Sequence, residues 1–294
     1  VIEGFDMASL EHNSADALHL IAESIKVAKA DVYHFVADPD ATDVPMEGML
    51  SKDYADTRRA LIASGEAMDY PDHGSPAGSQ VTRSGLRLDL GPVAFAPSYP
   101  GSTTSFSVAD RYGNVVVSTP TLGSVWGTGV VVGTTGIILN NGTRHGSTSP
   151  YPDDVNYARG GQIPVLNNAP IVVMKDEAFY LALGTPGGEA IGQTQFQVLL
   201  NVLDYGMEIQ EAIEAPRMSL IAEPNFYRPG SEIAVQLESR IAPDVVTRLE
   251  AMGHAVVTVP EYSIGNMQGI LANVTTQTLT AGADPRRMMY AIGW

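Results

Sequence analysis

Apolar residues recur at helical spacing in the first part of the chain. Within residues 14–35 they fall every three or four positions behind Asn13 or Ser14, either of which can cap the first turn of a helix. These positions are Leu18, Ile21, Ile25, Ala28 and Val32. A second helical pattern covers residues 51–64 and stops before Gly65. The sequence therefore predicts two helices, the first of which faces a core.

The pattern changes to a period of two at residue 103. Polar and apolar side chains alternate over residues 105–108, and a run of three valines at 115–117 follows a turn at 112–114, which predicts a β-hairpin. Continuous apolar runs typical of buried strands follow at residues 129–133, 137–139, 171–174 and 178–183. A final pair of strands is expected at residues 255–259 and 269–274.

Helical spacing returns among these strands, at residues 190–205, 209–214 and 243–252. Gly206 and Gly253 end the first and last of these helices in the usual C-terminal position. Strand runs flanked by helical runs predict an α+β fold, in which packed sheets carry helices on the outside. Residues 65–101 show little periodicity and are rich in Gly, Pro, Ser and Asp, which predicts a long linker.

Composition narrows the function classes. With 294 residues, of which 44% are hydrophobic, the chain can bury the core of one large or two ordinary domains. A formal charge of −16 disfavours nucleic acid and anionic membranes, so neither partner is expected. The absence of cysteine excludes disulfides and thiolate nucleophiles, and the six histidines lack the spacing of a metal site. No metal or cofactor is expected, and the compartment stays open.

Thr103 is the candidate for chemistry, because small polar residues around it run straight into the first strand pattern. Its hydroxyl can attack the Ser102 carbonyl, and hydrolysis of the resulting ester leaves Thr103 as a new N-terminus. The freed α-amine then serves as general base for the same hydroxyl, so that one residue supplies both nucleophile and base. The alternative is that Thr103 and Thr104 form only the exposed start of a strand.

Ordered motifs decide between these alternatives. They are Thr103-Thr104-Ser105-Phe106-Ser107-Val108-Ala109-Asp110, Thr119-Pro120-Thr121-Leu122, Trp126-Gly127-Thr128-Gly129, Gly136-Ile137-Ile138-Leu139-Asn140-Asn141, Gly184-Thr185-Pro186-Gly187-Gly188 and Glu214-Ala215-Pro216-Arg217. Together they resemble the small subunit of γ-glutamyltranspeptidases, and motifs in residues 14–54 resemble the end of that family's large subunit. The resemblance implies a four-layer αββα N-terminal nucleophile hydrolase fold. It also implies that residues 1–102 end the large subunit with its linker, and that residues 103–294 form the small catalytic subunit.

The same resemblance assigns roles to three further residues. Gly187 and Gly188 match the oxyanion-hole pair, whose backbone N–H groups are approachable because no side chain blocks them. Thr121 matches a threonine that hydrogen-bonds the catalytic N-terminus. The alternatives are an ordinary strand-to-helix turn for the two glycines and a strand residue bonded to a neighbour for Thr121.

The positions that hold the glutamyl head group in the family carry other residues here. They are Gly123, Gly142, His145, Leu166 and Asn167. A site without the matching polar groups loses discrimination for a polar substrate, so a small amide other than a γ-glutamyl one is expected. Arg144, His145 and Asn167 are the candidate substrate-binding residues. Arg144 and His145 replace acidic with basic character, which suggests an acyl group that bears a carboxylate. A solvated loop pair is the equal alternative.

The sequence thus predicts a self-processing N-terminal threonine amide hydrolase that works through an acyl-enzyme, with its two cleaved subunits as each other's partners. A γ-glutamyltransferase or glutathione hydrolase with altered head-group contacts is one alternative. An uncleaved, non-enzymatic relative that acts as a binding protein is the other. Cleavage between Ser102 and Thr103 separates both enzymes from the binding protein.

Overall fold

The computed structural model describes residues 1–79, 102–143, 148–273 and 275–294, and these residues form an α+β fold, as predicted. The helices are α1 (Ala15–Phe35), α2 (Met46–Leu50), α3 (Lys52–Arg59), α4 (Ala190–Leu203), α5 (Ile209–Glu214) and α6 (Pro243–Ala251). The strands are β1 (Phe106–Ala109), β2 (Val115–Ser118), β3 (Ile171–Lys175), β4 (Ala178–Gly184), β5 (Met218–Glu223), β6 (Glu232–Glu238), β7 (Ala255–Val259), β8 (Gln268–Asn273) and β9 (Thr278–Ala283). Within these ranges no helix combines the length and apolar character that crossing a membrane requires.

Helix α1 begins where the sequence predicts. The Ser14 side chain accepts a hydrogen bond from Ala17 N at 3.3 Å and so caps the first turn. One core joins α1 to β5 and β6, and its buried members include Leu18, Ile21, Ile25, Met218, Leu220, Val235 and Leu237. Ala28 and Val32 were predicted to face this core, but both are exposed. Val32, at 41%, borders an open cleft instead.

The second predicted helix is shorter than expected. Helix α3 ends at Arg59 rather than at residue 64, and the short α2 before it was not predicted. Ser51 caps α3 by accepting a hydrogen bond from Tyr54 N at 3.2 Å. Leu61, which suggested a longer helix, is 50% exposed, so no core packing supports a further turn. Residues 65–79 contain no helix or strand, and the rest of the predicted linker lies outside the described residues.

Strands β1 and β2 form the predicted hairpin, with Phe106 paired to Ser118. The hairpin packs on a four-stranded antiparallel sheet of order β3-β4-β8-β9. On this sheet Leu183 faces α5 while the adjacent Gly184 faces the hairpin, since successive residues of a strand point to opposite sides. Helix, sheet and hairpin therefore form successive layers, and the end of β4 lies against the start of β1.

A second sheet contains two strands that were not predicted, β5 and β6, and one strand, β7, that was predicted with the wrong partner. Its order is β5-β6-β7, with β6 and β7 parallel. The expected pairing of residues 255–259 with 269–274 is wrong, because β7 pairs with β6 whereas β8 pairs with β4 and β9. Strands β5, β6 and β9 were not predicted. They mix apolar residues with Ala, Glu or Gly, which have low strand propensity.

The prediction of strands at residues 129–133 and 137–139 is also wrong. These residues make a single isolated bridge, between Val131 and Ile138. Their large side chains are exposed, with Val130 at 54% and Ile137 at 63%. Three glycines with positive φ interrupt the extended backbone, and they are Gly129, Gly133 and Gly136.

A buried polar cluster fastens α1 to the segment after α3 and to the start of β7. Glu23 pairs with Lys26 at 2.7 Å. His19 Nε2 donates to Ala63 O at 2.7 Å, so its Nδ1 accepts a hydrogen bond from His254 Nε2 at 2.8 Å. Ligand atoms of His19, Glu23 and His254 lie within 4.8 Å of one another, but Lys26 already supplies the positive charge that Glu23 requires. Hydrogen bonding and charge therefore account for the cluster as a structural fastening.

This cluster predicts a pH dependence of stability. Burial, with Lys26 and His19 nearby, lowers the pKa of His254 to about 3 from its usual 6.5. Between these two pH values the unfolded chain binds a proton that the folded chain excludes. The free energy of unfolding therefore decreases as the pH is lowered, by at most about 1.4 kcal/mol per pH unit. We expect the free energy of unfolding to fall as the pH is lowered from 7 to 5, and His254→Gln to reduce that fall by roughly 2 kcal/mol. Urea titrations at both pH values measure it, and an equal fall in the two proteins would contradict the assignment.

Candidate active site

Thr103 lies three residues before β1, beside the segment 119–124 that follows β2. Its Oγ1 is 2.9 Å from Thr121 Oγ1. Thr121 Oγ1 also accepts a hydrogen bond from Gly123 N at 2.8 Å, which fixes the position of that oxygen. The two hydroxyl groups that the sequence singled out therefore meet in the structure.

The residue before Thr103 is held by the same segment. Ser102 Oγ donates to Ser124 O at 3.0 Å and accepts from Leu122 N at 3.2 Å, while Ser102 N donates to Gly123 O at 3.2 Å. The segment 121–124 therefore holds both residues of the Ser102–Thr103 peptide bond.

A close approach joins the start of β1 to the end of β4. Ser105 Oγ accepts a hydrogen bond from Gln268 Nε2 at 3.0 Å. A Cβ on Gly184 would lie 2.1 Å from Ser105 Oγ, so only glycine allows this contact. Gly184 ends β4, and the chain reaches Gly187 three residues later. The sheet therefore brings the two-glycine turn to the side of the molecule where Thr103 enters β1.

Gly187 and Gly188 form the turn between β4 and α4. Their φ angles are +140° and +56°, both in the region that favours glycine. Their carbonyl groups accept hydrogen bonds from the first residues of α4, Ala190 N and Ile191 N, each at 3.1 Å. Within the described ranges neither glycine N–H donates a hydrogen bond. Both groups are therefore available to an anionic ligand, as an oxyanion hole requires.

Two neighbouring asparagines bridge the threonine and glycine sides. Asn168 Nδ2 donates to Thr119 O at 2.6 Å, and Asn167 Nδ2 donates to Glu189 Oε1 at 2.8 Å. Asn167, a predicted substrate-binding residue, is thus engaged with a carboxylate that follows Gly188 directly. The other two predicted substrate-binding residues, Arg144 and His145, lie outside the described residues.

Gly142 and Leu166, two of the positions that hold the glutamyl head group in the family, lie together. A Cβ on Gly142 would lie 3.3 Å from Leu166 Cδ2. Leu166 is 40% exposed, and Gly123 offers only its backbone to Thr121. Gly123 and Gly142 thus offer backbone and Leu166 an apolar side chain. Asn140 Oδ1 is a polar side-chain atom beside Gly142, 3.1 Å from the position of a Cβ there, and it is already bonded to Gly142 N.

Sequence reasoning missed Glu189. Its carboxylate pairs with Lys29 at 2.8 Å and accepts hydrogen bonds from Tyr33 OH and from Asn167. Burial raises the pKa of Glu189, but Lys29 and these hydrogen bonds outweigh it and hold the pKa below its usual value. The only signal in the sequence was an acidic residue directly after the Gly-Gly turn. Glu189 borders a cleft whose other walls include Val32, Tyr33, Val36, Val165 and Tyr227.

Comparison with known protein families shows to which family the chain belongs. The family model described as Gamma-glutamyltranspeptidase matches residues 1–294. The chain belongs to the γ-glutamyltranspeptidase family. The ordered motifs that begin at Thr103 therefore lie in a γ-glutamyltranspeptidase framework, as the sequence predicted.

Named relatives of this γ-glutamyltranspeptidase family member fall into two groups. The chain is 31% identical over 293 residues to the glutathione hydrolase proenzyme of Bacillus subtilis (strain 168), with 100% of the chain and 47% of the relative covered. It is 34% identical over 283 residues to the Acylase ACY 1 proenzyme of Pseudomonas sp. (strain SE83), with 96% and 44% covered. The chain thus spans about half the length of the curated relatives it matches.

Solved structures agree with this family. A cephalosporin acylase from Bacillus halodurans superposes with a TM-score of 0.77 at 27% identity, and covers 97% of this chain and 46% of its own. The γ-glutamyltranspeptidase and acylase structures among the neighbours are N-terminal nucleophile hydrolases, which confirms the predicted fold class.

Proposed function

We propose that this chain carries the catalytic part of a self-processing amide hydrolase, with Thr103 as the N-terminal nucleophile. The main support for this proposal is the 2.9 Å contact between the hydroxyl groups of Thr103 and Thr121. Further support comes from the N–H groups of Gly187 and Gly188, which follow β4 and donate no hydrogen bond within the described residues. The relatives named as proenzymes support self-processing.

The proposed first step cuts the chain. Thr103 Oγ1 attacks the Ser102 carbonyl carbon, and the Ser102–Thr103 C–N bond breaks as an ester forms on the threonine oxygen. The hydroxyl proton passes to the departing nitrogen, which becomes the α-amine of Thr103. Water hydrolyses this ester, which leaves a carboxylate on Ser102 and a free α-amine on Thr103. Thr121 holds the attacking oxygen, since its own oxygen is fixed by Gly123 N.

The proposed second reaction uses the new N-terminus. The α-amine of Thr103 accepts the hydroxyl proton while the oxygen attacks the substrate amide carbon. The N–H groups of Gly187 and Gly188 stabilise the oxygen anion of the tetrahedral intermediate. The amine product leaves with the transferred proton, and water then releases the acyl group from the threonine oxygen.

The two products of cleavage, residues 1–102 and 103–294, are proposed to stay together. The core that α1 shares with β5 and β6 crosses the boundary at Thr103. Two ion pairs also cross it, Lys29 with Glu189 and Arg248 with Asp16, each at 2.8 Å. Buried apolar contacts of this kind persist without a peptide bond, so each piece is the other's partner.

The substrate is proposed to be a small amide other than a γ-glutamyl one. Gly123, Gly142 and Leu166 offer no polar side chain for a glutamyl head group, and an acylase is among the relatives. Glutathione hydrolysis is the second candidate, which the Bacillus subtilis relative favours. Hydrolysis of a panel of acyl-p-nitroanilides by the full-length protein separates them. Faster turnover of γ-glutamyl-p-nitroanilide than of every other member would select the second candidate.

Arg144 and His145 are proposed to recognise a carboxylate on the acyl group. Charge-assisted hydrogen bonds contribute about 1.5–3 kcal/mol, so Arg144→Ala should lower kcat/KM for acidic acyl groups at least about tenfold and leave neutral ones unchanged. Arg111→Ala, in the exposed hairpin turn, is the matched control. Equal losses for acidic and neutral amides in the same panel would remove this role.

A further inference from the structure

Glu189 is the first residue after the two-glycine turn and occupies the N-cap position of α4, yet its side chain does not cap that helix. A carboxylate at this position is usually stabilised by the N–H groups of its own helix. Here the side chain turns away toward α1 and Asn167. Its position must therefore be explained by those partners.

Both carboxylate oxygens accept hydrogen bonds from these partners. Oε2 receives Lys29 Nζ at 2.8 Å and the Tyr33 hydroxyl, and Oε1 receives Asn167 Nδ2 at 2.8 Å. Lys29 and Tyr33 lie one turn apart on the same face of α1. They are themselves held by aromatic contacts, because Lys29 Nζ lies 4.1 Å from the Phe226 ring centre and Tyr33 packs edge-on against Tyr227 at 4.6 Å. The half-buried carboxylate is therefore anchored to a rigid surface.

This anchor has two consequences for the neighbouring turn. It fastens the residue after Gly188 to α1, and so limits how far the two glycine N–H groups can move. It also matches the negative charge of Glu189 with the positive charge of Lys29. An unmatched carboxylate beside an oxyanion site would oppose the charge that develops in the transition state.

We propose that Glu189 is a positioning residue for the oxyanion donors through its hydrogen bonds with Tyr33 and Asn167, and that Lys29 cancels the negative charge of its carboxylate beside the site. The inference rests on the proposed function, since it concerns the same Gly187–Gly188 site. Lys29 lies in residues 1–102 and Glu189 in residues 103–294, so the pair also couples the oxyanion site of one cleavage product to the other.

Three variants of the full-length protein test this pair, namely Lys29→Met, Glu189→Gln and the double variant. Lys29→Met leaves Glu189 with an unmatched charge, and we expect kcat to fall about tenfold with KM nearly unchanged. Glu189→Gln and the double variant carry no unmatched carboxylate, and the glutamine side chain can still bond Tyr33 and Asn167, so both should stay within about threefold of wild type. Lys52→Met, which breaks the exposed pair with Glu3, is the matched control and should keep wild-type kcat.

Each assay uses protein shown by intact mass to be cut before Thr103 and by thermal melting to be folded. A pair that only stabilises the fold would lower the melting temperature while kcat per folded molecule stays within twofold in all three variants, and that result would overturn the inference. A double variant as slow as Lys29→Met would overturn the charge argument. If the wild type is inactive, or Thr103→Ala remains active, the proposed function itself fails, and this outcome is distinct from the other two.

Discussion

Replacing Thr103 with alanine should leave the chain whole and lower amide hydrolysis by on the order of 10⁴-fold or more, because one hydroxyl is proposed to cut the chain and to attack the substrate. Alanine removes the oxygen that lies 2.9 Å from Thr121 Oγ1. It makes no new contact, since the variant side chain is smaller. Gel electrophoresis of the purified protein and an amide hydrolysis assay measure the two effects on one sample.

Two neighbouring variants serve as controls for this result. Thr103→Ser keeps the hydroxyl and should restore cleavage, with slower turnover because serine lacks the methyl group that limits the side-chain rotamer. Thr104→Ala changes an exposed threonine beside the site and should keep both cleavage and activity. If Thr104→Ala stays uncut while Thr103→Ala is cleaved, the nucleophile is Thr104 and not Thr103.

Replacing Gly187 with alanine should lower kcat by about 10²–10³-fold, the usual cost of losing an oxyanion-hole donor. The φ angle of Gly187 is +140°, which an L-residue rarely adopts. Space is not the obstacle, since a Cβ would lie 3.7 Å from Ala190 Cβ. The backbone must rotate instead, which redirects the N–H groups of the turn. Steady-state kinetics of the cleaved protein measure the change.

Gly230→Ala is the matched control for backbone strain. Gly230 also has a positive φ, +73°, and a Cβ there would meet open space. We expect it to destabilise the fold by about 1 kcal/mol and to leave kcat unchanged. If Gly187→Ala loses no more activity than Gly230→Ala, the two-glycine turn is not the oxyanion site.

The fold could be predicted where the local pattern and the tertiary contacts agree. Helix α1 has both a capping serine and an apolar stripe, and the hairpin of β1 and β2 has alternation and a turn that Asp110 fastens by accepting hydrogen bonds from Tyr112 N and Asn114 N. The partners of β7 and β8 could not be predicted, because strand pairing between distant segments leaves no local pattern. The apolar run at residues 129–133 has the local pattern of a strand, but its glycines with positive φ prevent regular pairing, so the prediction of a strand there failed.

The candidate site was predicted in part. Motif order predicted Thr103, Thr121, Gly187 and Gly188 as site residues. The structure places the two threonines in contact and joins the two sides through Asn167 and Asn168. Glu189 escaped because its partners Lys29 and Tyr33 are about 160 residues away in sequence. An ion pair of this kind becomes visible only once α1 and the turn before α4 are placed side by side.

The intact mass of the full-length wild-type protein under denaturing conditions shows directly whether Thr103 is the nucleophile that cuts the chain. We expect two fragments whose masses add up to the uncut chain plus one water, with Thr103 as the first residue of the C-terminal fragment. A single uncut mass, or a fragment that begins at any other residue, would contradict the assignment of Thr103 as the nucleophile.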